Sequence, residues 1–146
     1  MHFDMDASLG FVLNKTSLLS KANFSQRIKP YGISPEQWSL IFRVVEKKGL
    51  TQKELSDSTY KDQGNITRSI DRLEHKGLLK RVPNESDRRI INLYPTQEAL
   101  ALVEAVAPIS SAFNAFLTEG FAPEERKMLL GLLNKVYDNL DKKETL

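Results

Sequence analysis

The chain has no cysteine and only two histidines among its 146 residues. Without cysteine there are no disulfides, no thiolate metal sites and no thiol-based redox sensing. The histidines, His2 and His75, stand far apart and fit neither a metal-ligand spacing nor a Ser-His-Asp arrangement. No Gly-rich phosphate loop is present. The expectation is therefore a protein that is not an enzyme and has no metal and no cofactor. Neither a long apolar run nor a signal peptide is evident, which points to a soluble, cytoplasmic protein with no membrane partner. There is no internal repeat or low-complexity segment, and the length suits a single domain with a real core.

Charge is nearly balanced overall, at +2, but unevenly spread. Between Lys61 and Asn92 the net charge is +3, whereas residues 96–146 carry −3. The positive excess falls on the most structured-looking stretch, Thr51 to Tyr94. It opens with a capping box, Thr51-Gln52-Lys53-Glu54, in which hydroxyl and carboxylate satisfy orphan amides at a helix start. A second helix is expected from a cap at Asp62 to His75-Lys76, with Gly77 stopping it in the left-handed conformation. Two apolar, β-branched segments follow, Leu78–Val82 and Arg88–Tyr94, separated by the turn residues Pro83-Asn84-Glu85-Ser86-Asp87, as a hairpin requires.

Helical periodicity puts Ile66, Ile70 and Leu73 on an inward face of the second helix. The outward face then carries Gly64, Thr67, Arg68, Asp71 and His75, flanked by Asn65 and Arg72. Small, amide-bearing and cationic side chains without a bulky aliphatic suit the DNA major groove, where base edges offer donors and acceptors. Gln63 or Asn65 suits an adenine edge, Arg68 a guanine edge, and the Thr67 methyl a thymine methyl. A solvated helix face has the same composition; the basic hairpin beside it favours DNA. Arg88 and Arg89 adjoin on the turn, and Asp87 can hold one guanidinium and aim it at the electronegative minor groove.

Asp62 to Leu79 resembles the recognition helix of the MarR family of bacterial winged helix-turn-helix regulators, and Asp87-Arg88-Arg89 resembles its wing tip. The likeness extends over nearly the whole chain. It implies a mainly α fold: a winged helix-turn-helix with long N- and C-terminal dimerisation helices. Residues 1–146 would form one MarR-type domain, with a DNA-binding lobe at 34–95 and a helical dimerisation lobe at 1–33 and 96–146. Gln63, Asn65, Thr67, Arg68 and Arg72 would meet the major groove and the backbone beside it. Arg89, steadied by Asp87, would enter the minor groove, with Arg88 near the backbone. Peroxide sensing through a thiol, which some members perform, is closed to a chain without cysteine.

Two departures from the family stand out. Tyr94-Pro95-Thr96 and Ala99 replace its usual Leu-Thr pair and glycine, and Pro95 predicts that the second strand ends by Tyr94. Gly64 stands where Ser or Thr is usual, which weakens the helix start.

The flanking segments read as helices. One runs from about Asp6 to Ile28, with Leu9, Val12, Leu13, Leu19 and Phe24. Another is capped by Ser34 with Pro35 at its first position and carries Trp38, Ile41, Phe42 and Val45. Leu100 to Leu117 and Met128 to Leu140 give two more, and Pro108 predicts a kink or break near Val106-Ala107. Apolar arcs at both chain ends, wider than a lone surface helix needs, suggest a homodimer of interleaved terminal helices.

The resemblance also implies a small aromatic or anionic effector. Phe11, Lys15, Trp38 and Phe42 offer a cation and rings to hold one. Trp38 and Phe42 lie one helical turn apart, and ordinary core packing is the better reading of that spacing. The function that follows is a sequence-specific, ligand-responsive repressor, binding double-stranded DNA at a palindromic operator as a homodimer. The alternative from another class is a winged helix used for protein-protein contact.

Overall fold

The computed structural model describes residues 1–60 and 63–142, which fall into two compact units, Met1–Ser110 and Ser111–Leu146. The fold is mainly α with one two-stranded antiparallel hairpin, a winged helix-turn-helix.

In the first unit a 3-10 turn at Met5–Ala7 precedes α1 (Leu9–Ile28). The Ser8 hydroxyl accepts from the Phe11 amide (3.4 Å), so the α-helix begins at Leu9 and not at Asp6. Pro30 lies in a second 3-10 turn, Lys29–Tyr31, ended by Gly32 at φ 70°. In α2 (Pro35–Glu46) the Ser34 hydroxyl accepts from the Gln37 amide, and the Gln37 side chain accepts from the Ser34 amide. The same reciprocal box starts α3 (Gln52–Asp57), where Thr51 and Glu54 exchange bonds of 3.1 Å each.

Helix α4 spans Gln63–His75. Its expected cap, Asp62, lies outside the described residues. At the other end Gly77 turns left-handed (φ 76°), freeing its amide for the Glu74 carbonyl and the Leu78 amide for Leu73. Ile66, Ile70 and Leu73 are buried, as their spacing predicts, with Leu55 of α3 and Leu40, Ile41 and Val44 of α2. Each such side chain contributes about 1.5–3 kcal/mol on leaving water.

The hairpin pairs β1 (Leu79–Pro83) with β2 (Ile91–Pro95). Two expectations are corrected here. Arg88-Arg89-Ile90 is loop and not strand: Asn84 Oδ1 accepts from the Ser86 and Asp87 amides, and the Ile90 amide bonds to the Asp87 carbonyl. Those bonds consume the groups a ladder would need. The second strand also includes Pro95 instead of ending at Tyr94. The Thr96 amide bonds to the Leu78 carbonyl, and the Leu93 amide and carbonyl bond outward to Leu50 and Gly49. Pro95 and Pro83 therefore face Leu79 and Ile91 at positions whose amides point out of the ladder, where a missing N–H costs nothing.

Helix α5 covers Gln97–Leu117. The Thr96 hydroxyl accepts from the Ala99 amide (3.2 Å), so it starts three residues before the expected Leu100. It runs through Pro108 unbroken, so of the kink or break expected near Val106-Ala107 the break does not occur. Pro108 and Glu104, whose carbonyl loses its helical partner, are both exposed, and solvent can satisfy that carbonyl. By length and composition α5 is apolar enough to cross a membrane, which corrects the reading of no long apolar run. Glu104, two serines and Asn114 mask the run on inspection without lowering its mean much.

In the second unit α6 spans Pro123–Asp141, beginning at a proline in the first position, with Glu125 accepting from the Ala122 amide. None of its residues is buried; Leu132 is 52% exposed and Leu140 77%. In α1 only Phe24 and Ile28 are buried, while Leu9, Val12 and Leu19 are exposed.

Candidate nucleic-acid interface

With Ile66, Ile70 and Leu73 turned inward, the outer stripe of α4 is fixed by geometry. Asn65, Thr67, Arg68, Asp71 and Arg72 are all exposed. The side chain of Gln63 lies outside the described residues. Gln52 Nε2 donates to Thr67 Oγ1 (2.6 Å), tying the stripe to the first helix of the helix-turn-helix pair. At the far end Lys76 Nζ donates to the Gly32 carbonyl (2.6 Å) and to Gln37 Oε1 (3.3 Å). Arg68, Arg72 and Arg88 make no ion pair among the described residues.

At the wing tip Asp87 and Arg89 form the pair that the sequence suggested. Arg89 Nε and Nη2 donate to the two Asp87 oxygens at 3.0 Å each, and the Arg89 amide adds a third bond at 3.1 Å. The side chain of Arg89 is nonetheless 90% exposed, so its outer edge stays available. The Arg89 side chain, then its amide, hold the Asp87 carboxyl below the ordinary aspartate value, and Asp87 in turn raises Arg89. Both stay charged at neutral pH.

Sequence reasoning missed three residues that position this surface. Arg81 of β1 donates through Nη2 to Asp71 (2.7 Å) and through Nη1 to Glu74 (2.9 Å). That it shares a strand face with buried Leu79 was readable, but which acid it meets was not. Asn92 Nδ2 donates to the Gly49 carbonyl (2.7 Å) and its Oδ1 accepts from Asn84 (3.0 Å), fastening the wing base. Gly49 itself sits at φ 91°. A groove of about 650 Å³ beside the hairpin, lined in part by Lys48, Lys80, Asn84 and Tyr94, was also unforeseen.

The suggested effector residues form two local pairs. Lys15 Nζ lies 5.0 Å from the Phe11 ring centroid within α1, and the Trp38 and Phe42 rings stack at 5.4 Å within α2. Among the described residues no ring or cation–π contact joins one pair to the other. Trp38 is buried and Phe42 half-buried.

Residues 33–91 match the family model described as the MarR family. A putative transcriptional regulatory protein for the hcr operon of Thauera aromatica is 30% identical over 142 residues, covering 94% of this chain and 83% of that protein. The chain belongs to the MarR family. This MarR-family chain shares its fold with Bordetella bronchiseptica BpsR, whose structure concerns regulation of DNA binding by 6-hydroxynicotinic acid. That match is 23% identical, has a TM-score of 0.89, and covers 94% of this chain and 99% of the other. A mutant of E. coli MarR complexed with operator DNA is 26% identical, has a TM-score of 0.81, and covers 88% of this chain and 92% of that one. MarR-family membership makes the protein a DNA-binding transcriptional regulator, and the relatives it matches are regulators rather than enzymes.

Proposed function

We propose that the protein is a homodimeric repressor that acts in the cytoplasm on a palindromic operator and lets go when a small aromatic or anionic effector binds. The observation that carries the reading is an exposed polar stripe on α4, including Arg68 and Arg72, which make no ion pair among the described residues, together with the aimed but exposed Arg89 of the wing. Lysines and arginines supply affinity through phosphates; base edges supply discrimination. Gln63, Asn65, Thr67 and Arg68 read the major groove, Arg72 and Arg88 hold the backbone, and Arg89 enters the minor groove with Asp87 steadying it.

The dimer is supported by the apolar surface that one copy leaves in water: Leu9, Val12 and Leu19 of α1, much of α6, and Phe116 and Leu117 of α5. A second copy covers such surface at about 25 cal/mol per Å². A small-molecule effector is in keeping with the BpsR structure, which concerns regulation of DNA binding by 6-hydroxynicotinic acid; Phe11, Lys15, Trp38 and Phe42 offer rings and a cation to hold one, although among the described residues no ring or cation–π contact joins the two pairs.

Selection from a random DNA pool, followed by gel shifts, tests the reading. Enriched sequences are inverted repeats with half-sites about 10 base pairs apart. Arg68→Ala relaxes specificity at one position and costs about 1–3 kcal/mol. Hydroxylated aromatic acids weaken the complex. No enrichment, or enrichment of direct repeats, refutes the operator model; an affinity unmoved by any such acid refutes the effector.

A further inference from the structure

Asp71 poses a problem for a DNA-reading helix. It lies three residues from Arg68, one turn along the same exposed stripe, and next to Arg72. Residues so spaced on a helix meet and pair. A carboxylate there would draw Arg68 down onto the helix and set a negative charge against phosphates. Glu74, three residues beyond Asp71, adds a second carboxylate on the same side of the helix.

Neither acid is left to do this. Arg81 reaches from β1 and takes both: Nη2 meets Asp71 Oδ1 at 2.7 Å, Nη1 meets Glu74 Oε1 at 2.9 Å, and the Arg81 amide donates to Glu74 Oε2 at 3.2 Å. The Arg81 side chain is only 23% exposed, the least of any cation in the ion pairs of the described residues, whereas Asp71 is 60% exposed. Its planar fork presents separate nitrogens in fixed directions to the two carboxylates, where a lysine offers a single nitrogen. The amide bond adds a backbone anchor, so the wing's first strand is fastened to the recognition helix at the same point.

We propose that Arg81 is a positioning residue for DNA recognition: by occupying Asp71 and Glu74 it leaves Arg68 available to the duplex and locks the wing to α4. This rests on the reading of α4 as the DNA-contacting helix. Arg81 itself touches no DNA.

The test compares the parent, Arg81→Gln, Arg81→Lys, and Arg81→Gln combined with Asp71→Asn and Glu74→Gln, by operator titration across a range of salt, with circular dichroism checking that each is folded. Arg81→Gln weakens operator binding about tenfold and erodes base discrimination at the Arg68 position. Arg81→Lys falls between. The triple variant, lacking the carboxylates, recovers most of the affinity, a rescue that a purely structural role would not give. If the triple variant stays weak while folded and the salt slope drops by about one, Arg81 is a phosphate contact and the proposal fails. Unchanged binding by Arg81→Gln also overturns it. If the parent shows no operator preference, the underlying reading of α4 fails instead.

Discussion

Gly49 sits where α2 hands over to the helix-turn-helix pair and where the wing is fastened, and replacing it with alanine tests that junction. Its φ of 91° is one that side-chain-bearing residues avoid, at a cost of about 1–2 kcal/mol. A β carbon there would also stand 3.1 Å from the Tyr94 hydroxyl and 3.4 Å from Cζ. Tyr94 is partly exposed and can yield, for an off-rotamer cost of about 0.5–1.5 kcal/mol. Gly49→Ala should therefore cost about 2 kcal/mol in urea unfolding at fixed protein concentration, since assembly couples to stability. Tyr94→Phe separates the two parts. It removes the nearest atom, so the double variant should regain the crowding part and keep the backbone part of about 1–2 kcal/mol. Full recovery in the double variant would show that crowding alone matters; a loss below about 0.5 kcal/mol for Gly49→Ala would show that the left-handed bend is not required.

Ser56 is fully buried and its hydroxyl has no hydrogen-bond partner among the described residues, so Ser56→Ala should stabilise the protein by about 1 kcal/mol, read as a higher urea midpoint; a lower midpoint would contradict this. Leu133→Glu, on the uncovered face of α6, should convert two-copy particles to single chains by light scattering, and unchanged mass would argue against α6 as the assembly face. The Glu54 carboxyl is held below the ordinary glutamate value, first by the Thr51 amide and then by the Thr51 side chain. A depressed folded-state value adds stability above the unfolded pKa that fades as pH falls through the folded one. Glu54→Gln keeps an acceptor for the cap and should flatten that part of the acid profile of thermal unfolding; an unaltered profile would rule the cap out as a contributor.

Local chemistry was the legible part of this chain. The boxes at Ser34 and Thr51, the left-handed stop at Gly77 and the inward triad Ile66, Ile70 and Leu73 depend on residues within a few positions of one another. The Asp87–Arg89 pair was readable for the same reason. Errors arose at one local turn and where distant groups decide. Arg88-Arg89-Ile90 has strand-like composition, but Asn84 captures the backbone needed to extend the ladder. Pro95 was read as a terminator because its place in the hydrogen-bond alternation depends on pairing with Leu79. Arg81 carries no local mark of its role, since its partners Asp71 and Glu74 are brought to it by folding. The apolar surface of α6 was visible, and what covers it is not a property of one chain's own interior.

Helix α4 is moored at three places: by Gln52 at Thr67 in its first half, by Arg81 at Asp71 and Glu74 in its second, and by Lys76 just past its exit. A rod held at three points travels with its housing and cannot swivel alone. If two copies pair as proposed and a small molecule releases them from DNA, that release is therefore a matter of gauge: the molecule need not disfigure either reading head, only alter the separation or tilt between the two so that they no longer match successive turns of the double helix.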